Sequence, residues 1–156
     1  MIAVFTDKKI HGTVRFEENA KLDCVDIHVD ISGLKKNARH GFHIHEYGDL
    51  SDGCTSTCAH FNPLGKKHGG PDSKERHVGD LGNLVTDATG CAKYMFTDHV
   101  IKLRGQKYNI LGRGLVIHAD ADDLGTGTGQ SSTTGNAGAR IACAVIGLAN
   151  PKKIGT

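Results

Sequence analysis

The sequence predicts an all-β fold, a sandwich or barrel of about eight short strands with two long functional loops. Three observations predict it. Apolar and polar residues alternate with period two over short runs, most cleanly where Val25, Ile27, Val29 and Ile31 enclose Asp26, His28 and Asp30. Glycine supplies 21 of 156 residues, about twice the ~7% of an average protein, and turn-forming residues bound each run. No long helical period interrupts the pattern.

The runs fall in order at 2–5, 12–17, 25–31, 41–47, 83–87, 92–97, 114–119 and 140–148. Val14 and Phe16 repeat the alternation in the second run. With five Phe, three Tyr and no Trp, the core must be built largely from Val, Ile and Leu. Two segments break the rhythm, 48–79 and 120–138, both rich in Gly and small polar residues. Irregular loops of such length in a compact domain are functional or disordered. No repeat and no boundary divides the chain, so residues 1–156 read as one domain.

Composition limits the function. A net charge of +2 is too small to imply a nucleic-acid partner. No run of 18 apolar residues is present, so no membrane span is expected. Met1 to Asp7 has no basic region followed by an apolar stretch. The expectation is a cytoplasmic protein, unless a leader has been removed. Five cysteines leave at least one thiol unpaired within the chain, and ten histidines prompt a search for metal ligands.

His43 and His45 are one residue apart. On a strand, positions i and i+2 share a face, so both imidazoles can reach one metal. A lone His-x-His also fits a solvated strand face. Here Phe42 and Ile44 occupy the opposite face and satisfy the core. The first long loop adds His60, His68, His77 and Asp80, spaced eight, nine and three residues apart, which fits no zinc finger. Three His and one carboxylate make a tetrahedral set that suits zinc. A distant strand adds His118. Seven histidines exceed the needs of one zinc, and imidazole suits copper equally. If His60 deprotonates, its two nitrogens can each bind a metal. Copper then takes His43, His45, His60 and His118, and zinc takes His60, His68, His77 and Asp80.

These motifs resemble the copper/zinc superoxide dismutases. The likeness rests on Gly-Phe-His-Ile-His-Glu-Tyr-Gly-Asp (41–49), Gly-Cys-Thr-Ser (53–56), His-Phe-Asn-Pro (60–63) and Lys-His-Gly-Gly-Pro (67–71). It continues through Arg-His-Val-Gly-Asp-Leu-Gly-Asn (76–83), Ala-Asp-Asp-Leu-Gly (121–125), Thr-Gly-Asn-Ala-Gly-Ala-Arg (134–140) and Cys-Ala-Val-Ile-Gly (143–147). The resemblance implies an eight-stranded Greek-key β-barrel of immunoglobulin-like sandwich type, a family already counted among such sandwiches. It implies superoxide disproportionation by Cu(II)/Cu(I) cycling, with one copper and one zinc ion per subunit sharing His60.

The resemblance also assigns supporting roles. Asp122 is expected to bond both His43 and His68, although a loop Asp is ordinarily just solvated. Cys54 and Cys143 match the family's disulfide, a bond that composition alone would leave unmade in a cytosolic protein. Arg140 is expected beside the open copper position to dock a small anion, with Thr134 as the opposite wall. Read alone, Arg140 is a surface residue at a strand start. Steering of superoxide by charge is a property this family is known for. Here the 126–133 loop is uncharged where relatives often carry Glu and Lys, which shifts guidance towards Arg140, Lys66 and Lys67. Of the remaining cysteines, Cys24 lies on the polar phase of its strand and is expected exposed. Cys58 stands where relatives have a small non-thiol residue and is expected free, with exchange onto Cys54 as the alternative; Cys91 is left over without an assigned state.

Tyr47 to Asp49, Ile110 to Gly112 and Ile146 to Leu148 match the segments that pair subunits into a homodimer, though barrel packing would also use them. A copper chaperone is the loading partner the resemblance allows. Two rival readings are a non-catalytic homologue on the same barrel and a zinc-only structural protein. The first typically lacks a copper ligand or the arginine. The second has no use for His43, His45 and His118. His11, His28, His40 and His99 have no part in either metal set and are expected to be dispensable for activity.

Overall fold

The computed structural model describes residues 1–151. Lys152 and Lys153, to which the sequence assigns no role, lie outside the described residues. The strands are β1 (Ile2–Thr6), β2 (His11–Asn19), β3 (Cys24–Ser32), β4 (Arg39–His45), β5 (Ser51–Cys54), β6 (Asp80–Val85), β7 (Ala92–Asp98), β8 (Gly114–His118) and β9 (Arg140–Gly147). All but β5 join one antiparallel sheet in the order β6-β4-β8-β9-β1-β2-β3-β7. The edge strands β6 and β7 approach each other, so the sheet curls into a nearly closed barrel. The β3–β4 and β7–β8 connections cross between the two halves, as a Greek-key arrangement requires. No helix among the described residues is long and apolar enough to cross a membrane.

The alternation in the sequence is the alternation of the barrel wall. Val25, Ile27, Val29 and Ile31 are buried on β3, while His28 and Asp30 face water. Phe16, Ile27, Phe42, Ile44, Leu115, Ile117 and Ile146 are fully enclosed. Each such side chain contributes about 1.5–3 kcal/mol by leaving water. β4 departs from the pattern because almost all of it is buried. Phe42 and Ile44 enter the core, and the opposite face lies under the two long loops.

Those loops are locked to the wall by backbone and side chain together. The Ile44 amide donates to the Gly79 carbonyl at 2.8 Å, and the Ile44 carbonyl accepts from the Phe61 amide at 2.8 Å. Buried Arg76 donates to Asp98 Oδ2 at 2.7 Å and to the carbonyls of Pro71, His77 and Val78. Removing one partner of such an enclosed ion pair costs about 3–5 kcal/mol. Cys54 and Cys143 form the disulfide, joining β5 to β9.

Several expectations are corrected. The run expected at 83–87 begins at Asp80 and ends at Val85, because the Thr86 amide and hydroxyl turn to the carbonyls of Ala38 and Lys35. The run at 41–47 ends at His45, since the amides of Glu46 and Tyr47 donate into the loop at Ala59 and Thr57. β5 and the short helix α1 (Ser131–Thr134) lie inside segments that show no periodicity. Cys24 is buried at 4% exposure, not exposed. Beside it, Lys102 Nζ pairs with Asp23 at the surface at 3.0 Å. His40 is also buried, at 2% exposure.

The disulfide spans 89 residues of chain. Loop-closure entropy puts its worth at roughly 4–5 kcal/mol. Reduction should therefore lower the denaturant midpoint of the metal-free protein by an equivalent amount, measured by equilibrium unfolding with and without reductant. An unchanged midpoint would remove the disulfide from the stability account.

Candidate metal centre

Three histidines come from the barrel wall. His43 and His45 project from β4, and His118 ends the neighbouring β8, opposite Arg140 of β9. Register shifts fall beside them, between Gly41 and His43 and between Ile117 and His118. Bulges of this kind re-aim side chains next to functional sites. Gly41 lies on the same face. A β-carbon there would come within 2.5 Å of Ala137 Cβ, so its absence lets the second long loop close over the histidines.

The first long loop brings His60 and His68, and His77 and Asp80 follow where it enters β6. His60 pairs across to His45 through an isolated bridge. The loop side chains converge tightly. Asp80 Oδ1 lies 2.9 Å from His60 Nδ1, 3.0 Å from His68 Nδ1 and 3.2 Å from His77 Nδ1. His77 Nδ1 lies 3.3 Å from His60 Nδ1. A tetrahedral ion with bonds of ~2.0–2.1 Å needs donor atoms ~3.3 Å apart, so these four atoms outline a zinc-sized hole.

A second group shares His60. Ligand atoms of His43, His45, His60 and His118 all lie within 4.8 Å of one another. His43 is also close enough to join His60, His68 and Asp80. The directed contacts of His77 with Asp80 and His60 favour His77 as the fourth member of the loop set, with His43 in the wall set. The histidines and Asp80 named as ligands from sequence are therefore brought together in two adjoining groups, and all are buried.

The hydrogen bonds decide which nitrogen each ring offers. His45 Nδ1 donates to the Cys58 carbonyl at 2.8 Å, and His118 Nδ1 donates to the Gly138 carbonyl at 3.1 Å. Carbonyls only accept, so each ring's proton sits on Nδ1 and Nε2 keeps its lone pair. Asp122 does the same for the other ring edge. Its Oδ2 accepts from His43 Nε2 at 2.7 Å and its Oδ1 from His68 Nε2 at 2.8 Å. The nitrogens left over are His43 Nδ1, His45 Nε2, His68 Nδ1 and His118 Nε2. These are buried without a hydrogen-bond partner. Burying an unpaired nitrogen is costly unless something else binds it. His68 Nδ1 is near Asp80 Oδ1 yet makes no proper hydrogen bond, which suits two donors aimed at a common point. The residues present fit a bound metal pair.

The electrostatics differ between the two groups. Burial, reinforced by the nearby His60, pushes His43 down to about 3 and His45 down to about 2. Burial likewise lowers His118 to about 4. These rings are neutral at neutral pH and hold their lone pairs free. Burial would also lower His68, but its bond to Asp122 and the charge of the adjacent Asp80 carboxylate outweigh that and raise it to about 9. Burial opposes ionisation of Asp80 and Asp122. Hydrogen bonds from the histidines more than offset this, holding Asp80 far below the carboxylate range and Asp122 at about 2.

A cleft of about 700 Å³ opens over the wall group, lined by His45, Cys58, His60, His118, Thr134 and Arg140 among others. Arg140 and half-buried Thr134 both border it. Arg140 Nη1 is anchored by the Cys54 carbonyl at 2.9 Å and Thr57 Oγ1 at 3.2 Å. Cys58 is free and exposed, and Cys91 is free and half-buried. Lys66 and Lys67 are exposed on the first loop.

Several supporting residues have no role in the sequence reading. Asn83 clasps the Asp122 backbone, accepting from its amide at 2.7 Å and donating to its carbonyl at 3.0 Å. Gly135, in the left-handed region at φ 66, leaves room beside the Asp122 carboxylate and His68 that a β-carbon would fill. His40, expected to be dispensable with His11, His28 and His99, lies against the wall group: its Nδ1 donates to the His118 carbonyl at 2.8 Å. His11, His28 and His99 are exposed. A buried histidine on a strand leaves no distinct trace in sequence, and the paired Asn83 shows only as one residue of a longer motif.

Comparison with known proteins agrees with this architecture. Residues 10–146 match the family model described as copper/zinc superoxide dismutase. A Cu-Zn superoxide dismutase of Paramecium bursaria Chlorella virus 1 is 66% identical over 142 residues, covering 90% of this chain and 74% of the relative. That of Yarrowia lipolytica is 52% identical, covering 91% of this chain and 92% of the relative. The crystal structure of the clock protein EA4 superposes with a TM-score of 0.90 at 44% identity, over 95% of this chain and 93% of that one. The chain therefore belongs to the copper/zinc superoxide dismutase family.

Proposed function

We propose that this protein disproportionates superoxide to dioxygen and hydrogen peroxide. The observation that carries the reading is the pair of adjoining donor sets sharing His60, with His45 and His118, whose Nε2 atoms are unpartnered, lining a cleft with Arg140. His43 Nδ1, His45 Nε2, His118 Nε2 and the outer nitrogen of His60 are assigned to copper. Nδ1 of His60, His68 and His77 with Asp80 are assigned to zinc. Copper, when bound, supplies one-electron redox chemistry, alternating between Cu(II) and Cu(I) as one superoxide is oxidised and a second reduced.

The chain's own groups do the rest. Arg140 presents a cation in the cleft and attracts the anion. Thr134 narrows the entrance from the opposite side. His60, freed on its cleft side, can hold a proton at its outer nitrogen and deliver it to the reduced oxygen, with water supplying the other. Asp80, His68 and His77 fix the inner nitrogen, with zinc as their common partner and no redox role. Asp122 couples the two sets through His43 and His68.

The family reading carries a cytoplasmic homodimer and a copper-loading chaperone with it. The dimer has support in the surface. Tyr47, Leu111, Val145 and Leu148 are exposed, whereas Ile110 and Ile146 belong to the core. The Gly112 amide donates to the Ile146 carbonyl, and Gly48 packs against Gly112 and Val145, so the exposed residues flank a single joined region.

Three outcomes test the assignment. His118→Ala should abolish superoxide disproportionation and copper binding while zinc content, by plasma mass spectrometry, stays at one per chain. Full activity in this variant would sink the proposal, and His28→Ala serves as the unaffected control. Asp122→Asn should lose zinc first, with affinity down ~10–100-fold. Unchanged metal content would rule the coupling role out. The third outcome concerns pH. In the metal-free protein His68 is a cation up to about 9, above its ordinary value, so zinc must displace its proton. Zinc affinity should then rise about tenfold per pH unit from neutrality, levelling off once His68 has lost that proton. Calorimetry in buffers of different ionisation enthalpy should register the released proton. A flat profile between neutrality and pH 9 would contradict it.

A further inference from the structure

His40 is the buried histidine among the described residues that belongs to neither donor set. Its Nδ1 donates to the His118 carbonyl, so the proton sits there and Nε2 keeps its lone pair. Nε2 is buried and has no hydrogen-bond partner. A buried acceptor left without a donor is destabilising. The ring borders a cavity of about 420 Å³, which shares no lining residue with the Arg140 cleft. With Nδ1 turned to the β8 backbone, the opposite ring edge, which carries Nε2, is the one presented to this cavity.

Two turns build the cavity, and both are fixed. Asp7 Oδ1 accepts from the amides of Lys9 and Ile10 at 2.8 and 3.2 Å. Gly33, at φ 88, lies so close to the Lys9 carbonyl that a β-carbon there would overlap it. The Leu34 amide donates to the Gly90 carbonyl at 3.1 Å, and the Lys35 carbonyl accepts from Thr86 Oγ1 at 2.6 Å. The cavity therefore holds its shape before a ligand arrives, and its volume falls within the ~300–1,000 Å³ range of small-molecule sites.

Three chemical demands meet in it. Ile10 and Leu34 give it an apolar wall. Lys9 and Lys35 line it and are exposed. Among the described residues the lysines held in ion pairs are Lys93 and Lys102, so the ammoniums of Lys9 and Lys35 remain for a ligand. Asp7 is the anion in the lining, and its Oδ1 is directed into its own turn. His40 Nε2 requires a proton donor. A simple anion would meet that lone pair and be repelled, whereas a neutral alcohol would leave both lysines unused. We propose that this cavity binds a small phenolic carboxylate. Its hydroxyl donates to His40 Nε2, its ring lies on Ile10 and Leu34, and its carboxylate meets Lys9 and Lys35 at the surface. Binding here does not depend on the superoxide reading.

The test uses the whole protein loaded with zinc and with copper held as diamagnetic Cu(I), titrated with 4-hydroxybenzoate and followed by NMR. Saturable shifts should appear at the amides of Lys9, Ile10, Leu34 and Lys35 and at His40 Nε2. Benzoate, which lacks the hydroxyl, and phenol, which lacks the carboxylate, should each bind about tenfold more weakly at the same signals. Lys9→Ala combined with Lys35→Ala should bring 4-hydroxybenzoate down to the affinity of phenol. The ligand comparison needs no altered protein, so a variant that fails to fold leaves the test intact. The proposal is overturned by the absence of a saturable shift, by shifts confined to Thr134 and Arg140 in the other cleft, by benzoate or phenol binding as tightly as 4-hydroxybenzoate, or by an unchanged preference in the folded lysine variant.

Discussion

The centre depends on one carboxylate that belongs to neither donor set. Asp122 accepts from His43 with one oxygen and from His68 with the other. Each bond places a proton on the outer nitrogen and turns the opposite nitrogen inward. Without that acceptor each ring could exchange tautomers or rotate, and the inward nitrogens would no longer be fixed. Asp122 is also placed with care. Asn83 on β6 holds its backbone, and the Leu124 amide donates to Oδ1 at 2.7 Å. The barrel wall and the two loops thus meet at a single buried anion.

The remaining ligands divide by rigidity. The wall group takes three of its four members from strands, whose positions are set by hydrogen-bonded neighbours and a packed core. The loop group depends on segments with little periodic structure, and these are stiffened from outside. Arg76 gathers three loop carbonyls and Asp98, and the disulfide ties β5 to β9. Arg140 reaches back from β9 to the Cys54 carbonyl, so the cation over the cleft is anchored by the segment the disulfide restrains. A redox site needs ligands that hold their places through an electron transfer, whereas a structural ion can itself order a loop. The proposed division of the ligands matches those two demands.

Much of this was legible in the sequence, for identifiable reasons. Period-two alternation survives wherever one face is wet, so β3 stands out in the residue pattern. His43 and His45 could be read as a pair because strand geometry puts i and i+2 on one face. The union of His60, His68 and His77 followed from residue chemistry and family likeness rather than periodicity. What escaped was controlled by contacts between distant segments. Cys24 sits on a polar phase but is buried. His40 looks like its exposed counterparts until the carbonyl it bonds is known. β6 begins earlier than its apolar pattern because Asp80 is buried among the imidazoles of His60, His68 and His77, not by hydrophobicity. The tautomers of His45 and His118 are set by carbonyls of Cys58 and Gly138, and backbone acceptors have no sequence signature.

The central claim is that one imidazole joins two different metals in two defined donor sets. Anomalous diffraction from crystals of the metal-loaded protein, recorded at the copper and zinc absorption edges, tests it most directly. The account predicts a copper peak enclosed by His43, His45, His60 and His118, and a zinc peak enclosed by His60, His68, His77 and Asp80, with His60 between them. A single metal position, or a copper peak outside the group that includes His45 and His118, would contradict it.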